Sequence, residues 1–510
     1  MIFRWVYLPP LLIYLSAGVS GLTNIVGIFF LKDYLNLSAA FIASIGFWAG
    51  IPWALKMPFG FLVDKFWNKK NHLVLIGALI IFISILIMFL LISERAAMEI
   101  YFSSETWFIL SSILTPIGYV IQDVVADAMT VEVVESKSTN LNKNKMSKRD
   151  EHMLLQLYGR FSIILGSLLV GLLNIYMFSD IKMLDKAGML RAYSSIYFIA
   201  LFIPLLSVSG VILSNIYKDR FDLKLITQNK INNLDFKIFW GSIFFVLFAI
   251  IFGSLKFPFS QEFVLVTSLV LIYILMRYLV KSLSSEQQFT IVGTAIIIFV
   301  YRSIPGPGAG LTWFEIDILK FDQSFISYLS VNAAFITLLG LFFFKKFIIQ
   351  TNLAKLFIYL SIISGVLYLP SLFMYYGLHH ITSSLTNGII DAKFIAFINT
   401  AVESPLGQVA MIPLLGWIAK NAPLKYKATF FAVFASFTNL ALSARELFTK
   451  YLNKIFIIKR EVVDQTSKVV VENADYSNLD ELLISIIVIT IIVPVSLIVI
   501  IQSSKYKSKD

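Results

Sequence analysis

Leu73–Ile92 and Leu482–Ile501 each run for twenty residues without a charged side chain. Twenty residues coiled as a helix reach about 30 Å, the thickness of a bilayer's hydrocarbon core. Further apolar runs recur at Tyr193–Ile212, Ile238–Leu255 and Phe263–Leu279, the last holding Arg277. Only 14% of the 510 residues are charged and 58% are hydrophobic, with a mean hydropathy of +0.81. A soluble domain holds about 25% charged and 45–50% apolar residues, so the chain reads as an all-α polytopic membrane protein. A membrane β-barrel would instead show ~10-residue segments of strict alternation, and these runs are continuous. The absence of cysteine excludes disulfides, thiolate metal sites and cysteine nucleophiles. The net charge of +11 matches the Lys/Arg excess of cytoplasmic membrane loops and requires no nucleic-acid partner.

Polar breaks between apolar runs place spans near 8–31, 38–63, 73–93, 106–131, 153–177 and 193–215. A second set falls near 238–255, 263–281, 288–311, 323–345, 355–378, 388–418, 427–449 and 481–502, about fourteen in all. Lys and Arg are more frequent in the loops that face the cytoplasm if both termini do. The stretch 29–45 lies without gaps on 313–329, matching Phe30 with Phe314, Asp33 with Asp317, Leu35 with Leu319 and Phe41 with Phe325. An internal repeat of this kind divides a polytopic membrane chain into related halves. The expected division is an N-terminal six-helix half over 1–216, a linker with two extra spans over 217–287, and a C-terminal six-helix half over 288–510. The segment 451–480 reads as one polar outer loop, and the tail "KYKSKD" (505–510) as a solvated cationic end.

Ionisable side chains within spans cost a few kcal/mol each and are functional candidates by default. Lys56, Gly60 and Asp64 share one helical face at i, i+4 and i+8. The pattern Gly60-x-x-x-Asp64-Lys65-x-x-x-Lys69-Lys70 resembles the loop signature between spans two and three of the major facilitator superfamily, with Asn68 where glycine is usual. That resemblance implies a latch between two halves, formed by Lys56, Gly60, Asp64 and Lys65. Asp123 and Asp127 are i, i+4 neighbours with Gln122 beside them. Two carboxylates facing one another in low dielectric can take up and release a proton; the alternative is a static pairing with Arg160. Glu403 is isolated in "NTAVESPLGQVAM" (399–411) with Pro405 after it, and Arg445-Glu446 is a candidate partner. Lys32-Asp33 and Glu315/Asp317 are repeat-related charges at outer ends, read as gate or interface residues. His379-His380 falls in an outer turn, and "SIPGPGAG" (303–310) reads as a flexible break rather than a phosphate loop. No metal site and no cofactor are expected.

"FFLKDYLNLSAAFIASIGFWAGIPWALKMPFGFLVDKF" (29–66) resembles the folate–biopterin transporter family of the major facilitator superfamily. Lys32, Asp33, Leu35, Leu37, Ser38, Pro52, Trp53, Lys56, Gly60 and Asp64 fill that family's positions, and Met57 departs from its second proline. "QDVVADAMTVE" (122–132) is similar to its span-four motif, and "APLKYKATFFAVFASFTN" (422–439) to a late segment through Pro423, Ala428, Ser436 and Asn439, with Lys427 where an acidic residue is usual. The resemblance implies a major facilitator-type fold and uptake of a folate-like or pteridine-like small molecule, with protons as coupling ion, in a bacterial cytoplasmic membrane. A muropeptide-permease-like branch shares several of these features and would import another solute. A non-transporting sensor and a membrane-embedded enzyme are the remaining alternatives. An enzyme would carry a polar catalytic cluster and a sizeable catalytic loop, and the sequence offers neither.

Overall fold

The computed structural model describes residues 5–35, 37–54, 56, 59–60, 63, 69–135, 148–220, 240, 244, 248, 251–252, 259–281, 283–343, 352–407, 409–411, 427–463 and 470–508. The first helices are α1 (Leu8–Val19), α2 (Asn24–Tyr34), α3 (Ala39–Ala54), α4 (Lys70–Ser93), α5 (Ser104–Glu135), α6 (Lys148–Met177), α7 (Lys186–Ala200) and α8 (Ile203–Arg220). They are followed by α9 (Ser260–Val280), α10 (Ser285–Arg302), α11 (Ala309–Asp317), α12 (Gln323–Phe343), α13 (Leu353–Val366), α14 (Leu369–Tyr375), α15 (Leu378–Leu385) and α16 (Ala392–Glu403). Helix α17 (Lys427–Ile455), strands β1 (Val462–Val463) and β2 (Val470–Glu472), and helix α18 (Leu479–Gln502) complete the chain. Among the described residues, nine helical stretches are long and apolar enough to cross a membrane. The run at 238–255 lies largely outside the described residues.

The chain divides into two compact units: Met1–Val26 with Leu55–Phe244, and Gly27–Ala54 with Phe245–Asp510. In the first unit α1 packs against α6 and α8, and α4 against α5, α7 and α8. Helix α4 shows why such helices hold together without a water-driven hydrophobic effect. It buries Val74, Gly77, Ala78, Ile81 and Ile85, and leaves Leu75, Ile76, Leu79, Phe82 and Ile83 exposed. An apolar surface on every side leaves the outward stripe to lipid. The inward stripe relies on close backbone approach and buried hydroxyls. A Cβ on Gly77 would lie 2.7 Å from the Gly118 carbonyl oxygen of α5. Two turns further along, Ser84 Oγ reaches Ser111 O at 2.8 Å and Thr115 Oγ1 at 2.6 Å.

In the second unit α17 is the central helix, packed on α3, α9 and α10. Helix α9 is pinned there by polar contacts: Gln261 Nε2 donates to Ser44 O at 2.9 Å, and Lys450 Nζ donates to Gln261 Oε1 at 2.7 Å. A buried apolar cluster closes one end of this unit, with Trp313, Phe314, Leu319, Phe321, Leu372, Tyr476 and Leu482 among its members. The two repeat-related stretches follow the same path, each ending a helix, turning, and starting the next (α2 to α3, α11 to α12). Their matched residues also share burial: Phe30 and Phe314, and Leu35 and Leu319, all lie in the core.

Two polar segments differ from expectation. The segment 451–480 is not a free loop, because Ile458, Arg460 and Tyr476 within it are buried and β1 pairs with β2 as a short antiparallel hairpin. The apolar and aromatic residues spaced through this polar segment dock it onto the unit. The cationic tail is not solvated throughout. The Tyr506 ring packs on Phe289, its carbonyl fits the space left by the missing side chain of Gly293, and Ser508 Oγ meets Thr294 Oγ1 at 2.8 Å.

Candidate functional site

Four helical segments of the first unit bring one cation, two carboxylates and a phenol together. The i, i+4 spacing on α5 puts Asp123 and Asp127 on one face. Lys56 Nζ makes an ion pair with Asp123 Oδ2 and another with Asp127 Oδ2 at 3.3 Å. Tyr14 of α1 donates its hydroxyl to Asp127 Oδ1 at 2.5 Å. Its ring lies on Gly159 of α6, where a Cβ would come within 2.9 Å of Tyr14 Cε2. The site therefore depends on a glycine for the close approach of α1 and α6. Thr130 Oγ1 bonds the Asp127 carbonyl at 2.7 Å and keeps that turn of α5 in place.

Lys56 and Asp123 side chains are 19% and 17% exposed, while Asp127 is 38% exposed. The three differ in role as a result. Asp123 anchors the ammonium, and Asp127 is the more open carboxylate. Arg160 of α6 acts on Asp123, Lys56 and Tyr14 through its charge, but the direct ion pairs are made by Lys56. Lys56 is thus the shared partner of both aspartates. Gln122 faces elsewhere: its Nε2 donates to Val74 O at 3.2 Å and to Ser207 Oγ at 2.8 Å, between α4 and α8. Gly60 is described and a Cβ there would meet nothing within 4 Å. Asp64 and Lys65 lie outside the described residues.

The other predicted residues fall in the second unit. Lys32 Nζ pairs with Asp317 Oδ1 at 2.6 Å and with Asp33 Oδ1 at 3.4 Å. Tyr476 donates to Asp317 Oδ2 at 2.5 Å, and burial together with that donation holds its phenol above the ordinary value. Arg460 donates to Leu31 O at 3.0 Å and lies 5.4 Å from the centre of the Trp313 ring. Glu403 ends α16 and senses the charge of Arg445 on α17. Asn439, a residue of the late family-like segment, donates to Trp53 O at 3.0 Å and so caps the end of α3. Reading only the charges within spans misses Tyr14, Arg460 and Tyr476. Tyr14 carries a faint signal, a hydroxyl in the middle of an otherwise apolar run after Pro9-Pro10. Among the described residues there is no group of three or more His, Cys, Asp or Glu able to hold a metal ion.

Long apolar helices, with charged side chains paired among them, are those of an integral, multi-pass membrane protein. The comparisons agree. The chain belongs to the BT1 family, whose model matches residues 17–510. A curated folate-biopterin transporter of Synechocystis sp. is 22% identical over 449 residues, which cover 86% of this chain and 72% of that protein. Solved structures share the fold. A peptide transporter POT superposes with a TM-score of 0.65 at 11% identity, covering 99% of this chain and 95% of its own. A POT family transporter in complex with a thioalcohol-conjugated peptide gives 0.61 at 16% identity, with 98% and 96% covered. The nucleoside transporter NupG gives 0.53 at 13% identity, with 98% and 100% covered. The family and these neighbours are transporters, not enzymes.

Proposed function

We propose that this chain is a secondary transporter that carries a folate-like or pteridine-like solute together with protons, by alternating access of two six-helix halves. The observation that carries the reading is the Lys56 ammonium shared between Asp123 and Asp127, with Tyr14 bound to the second carboxylate. A proton arriving at Asp127, the more open of the two, cancels its charge. Lys56 then belongs to Asp123 alone, and the tie from Tyr14 on α1 to α5 weakens. Protonation so changes which helices are held together, which is what a proton-driven conformational change requires. Arg160 keeps the set electrically balanced while Lys56 is shared. The substrate class is supported by the family and by the name of the cyanobacterial relative. Gly60, Asp64 and Lys65 serve as the latch of this cycle, in a bacterial cytoplasmic membrane with both termini in the cytoplasm. The halves are 1–216 and 288–510, with 217–287 between them.

Uptake of labelled folate and biopterin into proteoliposomes, with and without an inward proton gradient, tests the reading on wild type and Asp127→Asn. The expected result is gradient-driven uptake by wild type that Asp127→Asn loses while remaining folded. Uptake that ignores the proton gradient, or survives undiminished in Asp127→Asn, removes Asp127 as the coupling group. If neither solute moves under any gradient, the substrate class is wrong.

A further inference from the structure

In the second unit, the polar segment after α17 is seated along one face of α11 and reaches over to the end of α2. Gly310, Phe314 and Asp317 stand at i, i+4 and i+7 on α11 and so share a face. A Cβ on Gly310 would sit 2.7 Å from Ile458 Cδ1. The Tyr476 ring packs edge-on against Phe314 with centroids 5.7 Å apart, and its hydroxyl donates to Asp317. Arg460, only 4% exposed, lies over the Trp313 ring of the same helix and donates to Leu31 O of α2 at 3.0 Å. The two arms that carry these residues are tied to each other. Lys459 and Asp475 exchange backbone hydrogen bonds at 2.9 and 2.8 Å, and Asn478 Nδ2 donates to Ile457 O at 3.1 Å. Arg460 and Tyr476 are therefore carried on one piece.

Both of these side-chain bonds end on helix C-termini. A helix leaves its last four carbonyls without partners of its own, and Leu31 O is among those of α2, which ends at Tyr34. Asp317 is the last residue of α11, where a carboxylate opposes the helix dipole and depends on donors from elsewhere. It takes the Tyr476 hydroxyl and, at 2.6 Å, the Lys32 ammonium of α2. The ends of α2 and α11 are thus joined twice: directly by Lys32 and Asp317, and through the segment by Arg460 and Tyr476. Burying an arginine is expensive unless its hydrogen bonds are made, so the segment is stable docked as a whole or released as a whole. Ile458 and Tyr476 belong to the buried cluster beneath it, with Ala39, Trp313, Phe314 and Leu319. Lifting the segment takes these two residues out of that cluster.

We propose that the paired arms 456–463 and 470–478 form a strap that locks the ends of α2 and α11 together, with Arg460 and Tyr476 as its two catches. This end of the unit opens when Arg460 gives up Leu31 O and Tyr476 gives up Asp317. Lys32 and Asp317 then remain as the single link between the two helix ends, and that link is too exposed to water, once uncovered, to hold them by itself. The strap thus sets how often this end opens. The tie itself stands on the geometry, while its use in a cycle of opening and closing rests on the transport reading.

Thiol labelling tests it, because the chain has no cysteine of its own. Ala39→Cys places a thiol in the buried cluster under the strap, and Ser361→Cys places one on α13, in the same unit and equally buried. The rate at which a maleimide labels each, in the purified full chain in detergent, reads how often that position opens. Arg460→Gln is expected to speed labelling of Ala39→Cys by about tenfold, the worth of one charge-assisted hydrogen bond, and Tyr476→Phe by about threefold. Labelling of Ser361→Cys is expected to stay as it is in both. Tyr476→Phe keeps the ring on Phe314 and loses only the hydroxyl, so the test remains readable if Arg460→Gln does not fold. Equal labelling of Ala39→Cys with and without the catches overturns the proposal. So does equal acceleration at both thiols, which marks a general loosening of the fold. Faster labelling of Ala39→Cys alone, with no uptake of folate or biopterin into proteoliposomes by any of these chains, leaves the strap standing and removes the transport reading instead.

Discussion

Lys32 Nζ lies 2.6 Å from Asp317 Oδ1, and so joins the two stretches of chain that repeat one another. Asp33 and Asp317 occupy the same position in the repeat, and both reach that one ammonium. Tyr476 and Arg460, from the segment between α17 and α18, complete the cluster. A repeat usually places equivalent residues at equivalent but separate points. Here the equivalent aspartates share a cation, because the ends of α2 and α11 both reach it within one compact unit.

Lys32→Met should therefore cost about 3 kcal/mol of stability, the lower end of what breaking a buried ion pair costs, because Asp317 loses its cation. Their side chains show how far each group is sheltered: Lys32 is 11% exposed and Asp317 18%. A double-mutant cycle with Asp317→Asn, read by thermal unfolding in detergent, checks it. The double variant should be less destabilised than the sum of the singles. Strict additivity would mean that the pair carries no coupling.

Glycines divide sharply by what a methyl group would meet. At Gly77 it would meet the Gly118 carbonyl oxygen at 2.7 Å and Gln122 Cγ at 2.8 Å. At Gly27 it would meet nothing within 4 Å. Gly77→Ala is expected to destabilise by about 1–3 kcal/mol, since the α4–α5 crossing has no room to give. Gly27→Ala should stabilise by about 0.5–1 kcal/mol, the gain of restricting an unhindered helical glycine. Melting temperatures of the two variants beside wild type decide the matter, and equal effects would refute the packing argument.

The sequence makes the class of fold and half of the charged site legible, for identifiable reasons. Uninterrupted apolar runs can be read because a membrane helix needs every residue of about twenty to be compatible with hydrocarbon. Asp123 and Asp127 can be read because their spacing is local. Lys56 stands out by its cost, yet its assignment to a latch alone missed its pairing with those carboxylates, which depends on how segments distant in sequence meet. Tyr14 is invisible to a search for charges, and becomes part of the site only through Asp127. The segment 451–480 was misjudged from its average polarity, when a few spaced residues, Ile458, Arg460 and Tyr476, decide its docking. The break at 303–310 was legible as a break, but not as the place where Arg445 lies.

His379 offers a pH dependence whose sign can be worked out. Burial, and then the charge of His380, push its imidazole below the ordinary value of 6.5, while Asp391 acts in the opposite direction. The two rings are 3.9 Å apart between centroids. They line a cleft of about 260 Å³ together with Ser383, Asp391 and Lys393. The folded chain therefore holds His379 neutral at a pH where the unfolded chain has begun to bind a proton. Its contribution to stability is complete above about pH 6.5 and is lost as the pH falls through the lowered value, because protons favour the unfolded state in that window. His379→Gln removes the titration. The melting temperature of wild type should fall toward that of the variant between about pH 7 and pH 5. A constant gap between the two across that range would show that His379 titrates alike in the folded and unfolded chain.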